Sequence, residues 1–437
     1  MSQNLQEQNG SRKMMANMEV DDVISGLFQK ESMEQPSDRR KLEEQDMELP
    51  KWFDEKKFNK GRRFFWDFSF SLATSMMFGL IAVISVPSIL KILVSTRRSN
   101  SVFTAYRRYL STLLHVTSWF ENELKPGSIS WKSLHAVRKR HFNAGLASKT
   151  KGLGVVSQRD MALTLFGFIG YSILMPEKFG VMQLRPDDWE SYNHLWSVIG
   201  HMIGLEDRYN ICRKTPEETR QICQILLDRV YTPSMENVPE HFEHAARVLL
   251  DGLSSVNPTV EIDATLFWCR RLSNVPGYVY TEEERVKIQE KLRKHLKGKN
   301  PDTGVDSRLL IEKPLLDDLP DRPPRLLYLH DYDTLDQVPA YRTLSLKGKF
   351  KLALGYIGNN FYSTFIGRAY FNWNHWFSLY LMKYFPYIAF FRFGIKKSIV
   401  NIFEEDPIDD TEPKPNAEYN KPRDPLPWYR DWLSLLW

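Results

Sequence analysis

Two short segments of the chain carry side chains whose types could do chemistry at one buried site. The first begins at Ala105 and reads AYRRYLST, and the second begins at Leu134 and reads LHAVRKRHFNAG. Both segments have helical character. Arg108 and Thr112 are spaced i and i+4, so they share one face of the first helix. Together with His141 of the second segment, they would supply a cation, a hydroxyl and an imidazole.

His141 belongs to an apolar stripe of its helix. Leu134, Val137 and His141 are spaced i, i+3 and i+7, which places two aliphatic side chains and one imidazole on the same face. Lys139 and Arg140 are predicted to point toward solvent. An imidazole in such a stripe serves either as a haem or metal ligand or as a hydrogen-bonded core residue. The spacing alone leaves both interpretations open.

A second histidine is a candidate ligand on a later helix. The pattern predicts a helix that runs to about Ile203, with Trp196 on its apolar face. Gly200 and Gly204 are four residues apart, and such a pair lets another helix or a planar cofactor come close to the backbone. His201 lies on a neighbouring face of this helix. We therefore take it as the second candidate for an axial ligand.

Several helices are needed to position these groups. The sequence predicts helices over Asn100–Leu124, from Ser130 as the N-cap to about Gly145, and over Ser157–Met175. No segment has a strand period of convincing length, and no alternating βα pattern is present. The predicted fold class is therefore all-α.

The segment Phe68–Leu90 contains no charged residue in 23 positions. As a helix it would extend roughly 35 Å, at about 1.5 Å per residue, which is enough to cross a bilayer. Basic residues flank it on both sides. The alternative is a pair of buried core helices broken near Pro87, and the several serines of the segment favour this alternative.

The composition indicates one large helical domain between two tails. Of the 437 residues, 42% are hydrophobic and 13% are aromatic, which is enough for a sizeable core. We expect a mostly disordered tail at 1–60, with one short amphipathic helix near Val20–Phe28. A helical domain with an irregular loop at 300–325 is expected at 61–400. An acidic, proline-rich tail with a Trp-rich end is expected at 401–437.

Charge and cysteine content restrict the class of partner. The net charge of +5 is mild and the basic residues are spread along the chain, so nucleic-acid binding is not expected, whereas association with an anionic membrane is compatible. Three scattered cysteines favour a reducing compartment. The polar N-terminus lacks an apolar h-region, so we expect an intracellular protein that is not secreted. The aromatic run from Trp373 to Phe391 is typical of a core or of a membrane interface.

Several common catalytic motifs are absent from the sequence. There is no Gly-rich phosphate loop, no G-x-S-x-G elbow, no His-Glu-x-x-His and no histidine with a glutamate three residues before it. This argues against NTPases, Rossmann enzymes, α/β-hydrolases, zincins and di-iron bundles. Imidazoles beside arginines, with abundant aromatic residues, fit haem iron held by a neutral histidine. They fit a non-catalytic helical domain equally well.

The run from about Phe65 to about Asn210 resembles the family of rubber oxygenase (latex-clearing protein) and the ER-bound oxygenase of mycophenolic acid biosynthesis. The order and spacing of four motifs carry the resemblance: Arg108-x-x-x-Thr112, Val137-x-x-x-His141-x-x-x-Gly145, Gln158-x-Asp160-Met-Ala, and Trp196-x-x-x-Gly200-x-x-x-Gly204-Leu205-x-Asp207.

The resemblance implies a single helical domain packed around haem b, with His141 as the axial ligand of the iron. Arg107 or Arg108 would line the distal or propionate side together with Thr112, and the register leaves the choice of arginine open. The implied reaction is oxidative cleavage of a carbon–carbon double bond in an isoprenoid chain, with both oxygen atoms taken from dioxygen. The implied substrate is long and apolar, and the implied location is at or near a membrane such as the endoplasmic reticulum.

Two polar groups of the rubber oxygenase pattern have no counterpart in this sequence. A glutamate precedes the Arg/Thr segment in rubber oxygenase, but no Asp or Glu occurs here between Asp67 and Glu121. The distal lysine is replaced by Ser111.

The resemblance as a whole predicts a haem-dependent oxygenase acting on a long apolar, isoprenoid or lipid substrate. The alternatives are a non-catalytic, membrane-associated helical protein that binds a lipid or a partner, and a haem protein that binds a ligand without turnover.

Overall fold

Helices make up most of the computed structural model, which describes residues 19–38, 43–182, 184–185, 187–278, 282–298, 303–328, 331–332 and 334–420. The predicted all-α class is confirmed, since 66% of the protein is helical. Within the described ranges the strands are β1 (Val305–Asp306) and β2 (Leu326–Leu327), which pair in antiparallel fashion. The expected irregular loop at 300–325 contains β1.

The α-helices are, in chain order, α1 (19–27), α2 (Lys30–Glu34), α3 (Glu55–Asp67), α4 (Ser69–Val83), α5 (Pro87–Ser95), α6 (Val102–Glu121), α7 (Ile129–Thr150), α8 (Gln158–Leu174), α9 (Asp188–Met202), α10 (Pro216–Leu226), α11 (Thr232–Glu236), α12 (Phe242–Ser254), α13 (Ile262–Leu272), α14 (Glu282–His295), α15 (Pro339–Arg342), α16 (Leu346–Tyr362), α17 (Phe365–Tyr384), α18 (Tyr387–Phe393) and α19 (Ile395–Ser398). Short 3-10 helices occur at Glu44–Asp46, Pro176–Phe179, Asp207–Tyr209, Ser307–Leu310, Leu335–Gln337 and Asn416–Glu418, and a π-helical turn joins α10 to α11 at Leu227–Tyr231.

Glycines bring two pairs of core helices into direct backbone contact. In the crossing of α4 with α8, a Cβ atom on Gly79 would lie 1.9 Å from the carbonyl oxygen of Gly167. In the crossing of α3 with α9, a Cβ atom on Gly61 would lie 2.5 Å from the carbonyl oxygen of Ser191. Only a residue without a side chain fits at such separations. These crossings fix the positions of four helices around the core.

The uncharged segment Phe68–Leu90 forms the broken helix pair, α4 followed by α5. Pro87 is the first residue of α5, a position that requires no backbone N–H. Ile81 and Val86 of this segment are fully buried. Within the described ranges, no single helix is long and apolar enough to cross a membrane. α3 and α4 together have the length and the apolar composition of a membrane span, but the two helices are bent by 93° relative to each other.

Part of the expected N-terminal tail packs on the helical body. Val20 and Leu27 of α1 are buried, and Asp38 forms an ion pair with Arg138 at 2.5 Å. The side-chain amide of Gln158 donates to the carbonyl oxygen of Ser37 at 3.2 Å. The short amphipathic helix expected near Val20–Phe28 is thus present as α1, whereas the packing of residues 19–38 on the body differs from the mostly disordered tail expected for 1–60. The physical reason is that a few apolar residues at helical spacing form a buried face within an otherwise polar segment.

The acidic C-terminal region also has a defined course over the body. Residues 399–410, which we name the strap, lie along α6 and α7. Arg98 pairs with Glu405 of the strap at 2.7 Å, and Arg140 donates to the carbonyl oxygen of Ile402 at 2.8 Å. The expected tail is therefore held in place over this part by arginines that are distant in the sequence, Arg98 between α5 and α6 and Arg140 in α7. The Trp-rich end lies outside the described residues.

Both ends of α7 differ from the sequence prediction. Ser128 is the N-cap, and its hydroxyl accepts a hydrogen bond from a first-turn backbone N–H at 3.1 Å. Ser130 lies inside the first turn instead. The helix continues past Gly145 to Thr150 because Gly145 keeps a helical conformation and packs against Val156.

The glycine pair around the end of α9 is contacted by other protein segments. A Cβ atom on Gly200 would lie 3.2 Å from a methyl carbon of Leu165 in α8, and one on Gly204 would lie 2.6 Å from the carbonyl oxygen of Ser37. Gly204 has a φ of +101°, which favours glycine. The pair was predicted to allow close approach either of another helix or of a planar cofactor, and the structure shows close approach of other segments of the protein.

Candidate functional site

A large cavity inside the helical body contains the predicted site. Its volume is about 1490 Å³, which exceeds the roughly 300–1,000 Å³ of typical small-molecule pockets. Residues of α4, α6, α7, α8, α13, α16 and α17 line it, and apolar side chains such as Met77, Val116, Leu165 and Trp268 dominate the lining. The cavity can therefore hold more than one small molecule of ordinary size.

His141 lines this cavity and has a buried ring nitrogen without a partner. Its Nδ1 makes no hydrogen bond with any residue in the described part of the chain. Burial, followed by the positive charges of Arg108 and Arg140, lowers the pKa of His141 from 6.5 to about 4. The imidazole is therefore neutral near pH 7, which is the form that coordinates a metal. An unsatisfied buried polar atom costs about 1–3 kcal/mol, so a ligand at this nitrogen would relieve an existing cost.

His115 of α6 also lines the cavity, but both of its ring nitrogens are used. Its Nε2 lies 3.1 Å from a guanidinium nitrogen of Arg140, and its Nδ1 lies 2.7 Å from the hydroxyl oxygen of Ser133. Because a guanidinium only donates, Nε2 accepts and Nδ1–H donates to Ser133. Burial lowers the pKa of His115 to about 4. His115 is thus a hydrogen-bonded core histidine, the alternative that the sequence left open for His141.

Arg108 and Thr112 line the same cavity as His141. The guanidinium of Arg108 donates to the hydroxyl oxygen of Thr96 at 2.8 Å, which fixes the end of a long, flexible side chain. The hydroxyl of Thr112 donates to the carbonyl oxygen of Arg108 at 3.0 Å. The helical spacing of i and i+4 thus brings the two residues together as predicted. Their contact with a ligand remains a prediction.

Arg107 and His201 are placed away from the cavity lining. Arg107 donates to the carbonyl oxygens of Lys397 in α19 and of Ile399 in the strap. His201 pairs with Asp207 at 2.8 Å on the outside of α9. Neither side chain is brought together with His141, so the structure favours Arg108 over Arg107 and His141 over His201 as candidates.

Arg140 faces the cavity, which corrects the prediction that it points to solvent. It lines the cavity and reaches His115 on one side and the strap on the other. The strap covers this face of α7, so a position that would otherwise be exposed becomes partly buried. A helical period cannot reveal this, because the covering segment is more than 260 residues away in the sequence.

His375 of α17 is a cavity residue that no motif or helical stripe of the sequence singled out. It lines the cavity, and its Nε2 is buried with no hydrogen-bond partner among the described residues. Burial lowers the pKa of His375 to about 4. An unpaired imidazole from the C-terminal helices therefore joins the wall that the earlier helices build. Its position in an aromatic run gave the only available signal, a lone polar residue among rings.

Carboxylates reach the cavity from segments far from α6. Glu261, Glu405 and Asp406 belong to its lining. Glu261 caps α13 by accepting a hydrogen bond from the N–H of Ala264 at 2.6 Å, and Glu405 pairs with Arg98. The absence of acids between Asp67 and Glu121 therefore does not leave the cavity without carboxylates. The strap and the start of α13 supply them.

We expect the stability of the cofactor-free protein to fall in acid through His141. The folded-state pKa of about 4 lies below the ordinary value of 6.5, so the unfolded chain takes up this proton first as the pH falls. The contribution of His141 to the free energy of unfolding is fully present above about pH 6.5 and is lost as the pH falls toward 4. Between about pH 7.5 and about pH 5 the loss is roughly 2 kcal/mol. Urea unfolding at both pH values measures it.

The matched variant for this pH measurement is His141→Leu. It keeps the helix and the other histidines but lacks the titrating group, so its unfolding free energy should fall by roughly 2 kcal/mol less over the same interval. An identical fall in the wild type and the variant would contradict the prediction.

The described part of the chain contains no group of three or more His, Cys, Asp or Glu side chains arranged to hold a metal ion. The three cysteines, Cys212, Cys223 and Cys269, are buried and free.

A family model matches the region of the chain that carries the motifs. Residues 62–280 match the family model described as ER-bound oxygenase mpaB/B'/Rubber oxygenase, catalytic domain. Among solved structures, one of latex clearing protein LCP in the closed state is similar, with 18% sequence identity and a TM-score of 0.42; the match covers 63% of this chain and 78% of that chain. A search of curated proteins found no match.

The matched region starts in α3 and ends after α13, and so contains α6, α7 and the residues Arg108, Thr112 and His141. It covers half of the chain. The chain therefore belongs to the family of ER-bound oxygenase mpaB/B' and rubber oxygenase catalytic domains.

Proposed function

We propose that the chain is a haem b-dependent oxygenase that acts on a long apolar substrate, an isoprenoid or a lipid. Membership of an oxygenase family supports the reaction class. The observation that carries the proposal is the neutral imidazole of His141, with one buried and unpaired ring nitrogen in the wall of a large apolar cavity. The proposed reaction is oxidative cleavage of a carbon–carbon double bond with dioxygen.

The residues of the cavity fit a haem group. A porphyrin brings its own nitrogen ligands to the iron and needs one or two more from the protein, and His141 offers a neutral imidazole. Arg108 and Arg140 add positive charge to the same wall, which suits the carboxylates of a haem. When bound, the haem would supply the binding and activation of dioxygen.

The chain's own residues have three roles in this proposal. His141 holds the iron, and Arg108 balances carboxylate charge. Thr112 presents a hydroxyl that can reorient from the carbonyl of Arg108 toward a polar group in the cavity. The apolar lining holds the hydrocarbon chain of the substrate and excludes water.

We propose that a carboxylate of the strap takes the place of the missing glutamate. Glu405 and Asp406 both belong to the cavity lining. Arg98 holds this segment, through an ion pair with Glu405 and a hydrogen bond to the carbonyl oxygen of Asp406. A carboxylate held at this place can accept a proton from a substrate carbon or a bound water.

The test is an absorption spectrum of the purified full-length protein, followed by oxygen uptake with a polyprenyl substrate. We expect a Soret band, oxygen consumption that requires the substrate, and two carbonyl-ended products. With isotopically labelled dioxygen, both new carbonyl oxygens should carry the label. Products without label would exclude the proposed reaction.

The same measurements separate the alternatives. A haem-free protein that retains its fold and binds polyprenyl lipid would support the non-catalytic, membrane-associated lipid- or partner-binding protein. A Soret band without substrate-dependent oxygen uptake would support a haem protein that binds a ligand without turnover. Intracellular location and membrane association belong to the proposal.

A further inference from the structure

The C-terminal helices expose an unusual amount of apolar surface. Of the 27 large hydrophobic side chains exposed in the described part of the chain, 17 lie in residues 346–399, which contain α16 to α19. Phe391 is 92% exposed, Phe365 75% and Ile366 72%. Scattered exposed apolar residues are normal in folded proteins, but a concentrated patch of this kind marks an interaction surface. We name the exposed side of α16 to α19 the docking face.

The exposed residues of α17 occupy one side of the helix. Trp373, Trp376, Tyr380 and Tyr384 follow a spacing of three or four residues, and each is more than half exposed. Away from this stripe, the amide of Asn372 donates to the carbonyl oxygen of Asp67, the last residue of α3, at 2.8 Å. The helix is thus held on the body by one side and presents Trp and Tyr on the other. These residues are enriched where a protein meets a membrane–water interface.

The charge of this region has a single sign. Residues 337–403 contain nine lysines and arginines and no Asp or Glu, whereas the whole chain carries a net charge of only +5. In α19, Lys396 and Lys397 are both exposed. Cations beside exposed aromatic residues are complementary to an anionic lipid surface.

A second copy of the chain would fit this face poorly. A twofold-symmetric dimer would place the same patch on both sides of the interface. Lys383 and Arg392 are paired with Glu121 and Asp251 of neighbouring segments. The exposed Lys396 and Lys397 of two copies would repel one another across such an interface. A bilayer with anionic headgroups instead accepts both the cations and the aromatic rings. Because no single helix in the described ranges is apolar and long enough to span, the face would lie on the membrane rather than cross it.

The docking face also borders the cavity. Leu354, Ile357, Phe361, Tyr370 and Phe377 are among the exposed hydrophobic residues of the face and also line the cavity. The cavity therefore reaches the surface between α16 and α17, within the apolar patch. A hydrophobic molecule leaving a bilayer at this place would enter the cavity without crossing water.

We propose that the docking face of α16 to α19 binds an anionic lipid bilayer and opens the cavity toward it. The face lies outside residues 62–280, the part matched by the family model. The delivery of an apolar substrate from the bilayer rests on the proposed function, whereas the docking itself does not. A vesicle-binding measurement tests docking whether or not the protein contains haem.

The experiment is flotation of the full chain with vesicles of phosphatidylcholine, with or without about a third phosphatidylserine. The wild type should bind the anionic vesicles more tightly, and added salt should weaken binding. Trp373→Ser/Trp376→Ser should weaken it by roughly 10-fold, since two exposed rings no longer enter the interface. Leu146→Ser is the control on α7, where Leu146 is 51% exposed, and should bind like the wild type.

A second pair of variants tests the charge. Lys396→Glu/Lys397→Glu should weaken binding to anionic vesicles by roughly 30-fold or more, and Lys132→Glu/Lys139→Glu on α7 provides the same change in net charge elsewhere. An equal loss of vesicle binding in the two double variants would overturn the assignment of the docking face. So would vesicle binding that the Trp variants leave unchanged, or a concentration-dependent dimer that they dissociate.

Discussion

Replacement of His141 by alanine is expected to abolish the Soret band of the purified protein and its substrate-dependent oxygen uptake. Loss of a partner that only orients a metal ligand already costs about 10–100-fold in metal affinity or activity. Removal of the proposed ligand itself should therefore lower both the haem affinity and the oxygen uptake by more than about 100-fold. The physical reason is that His141 is the imidazole beside Arg108 whose ring nitrogen is buried and unpaired in the cavity wall.

Two controls make the His141→Ala result specific. His201→Ala removes an imidazole that pairs with Asp207 outside the cavity, so the absorption spectrum should not change. Added imidazole should restore part of the Soret band of His141→Ala, because the cavity has space for a free ligand. If circular dichroism shows that His141→Ala is folded and its absorption spectrum is the same as that of the wild type, His141 is excluded as the ligand.

Replacement of Gly79 by alanine is expected to lower the free energy of unfolding by about 3 kcal/mol. The new Cβ atom would lie 1.9 Å from the carbonyl oxygen of Gly167 and 2.6 Å from its carbonyl carbon. Both atoms belong to the backbone of α8, so the clash cannot be relieved by a rotamer change. α4 must move away from α8, and the buried side chains between the two helices lose contacts.

This substitution should also disturb the site. α4 supplies Met76, Met77 and Phe78 to the cavity wall, so displacement of α4 changes the shape of the cavity. Gly26→Ala is the matched control, because its Cβ atom would approach only a ring carbon of Tyr209, at 3.8 Å. That variant should be neutral or slightly stabilising. Urea unfolding compares the two, and a change below about 0.5 kcal/mol in Gly79→Ala would contradict the expected clash.

Some features of the site follow from neighbours in the chain. Arg108 and Thr112 share a face because four residues make about one helical turn. The stripe of Leu134, Val137 and His141 identified the imidazole that lines the cavity. The N-cap of α8 was also predictable, since the hydroxyl of Ser157 accepts a hydrogen bond from a backbone N–H three residues later. Each of these depends on groups within two helical turns.

Other features depend on segments that are far apart in the sequence. Arg140 was expected in solvent, yet the strap covers it and His115 accepts its hydrogen bond. The choice of Arg108 over Arg107 also depends on distant residues, because the carbonyl oxygens of Lys397 and Ile399 hold Arg107 outside. The helical period of the sequence predicts neither contact.

By itself, the sequence determined the all-α class, the helix that carries His141 and the order of motifs that indicates the oxygenase family. Periodicity, capping and motif order are local properties of the chain. The tertiary structure alone decided which polar groups share the cavity: it left Nδ1 of His141 unpaired, used both nitrogens of His115, and brought in His375 and the strap carboxylates. The physical reason is that burial and hydrogen-bond satisfaction depend on which distant segments pack together, and residue spacing within one helix does not contain that information.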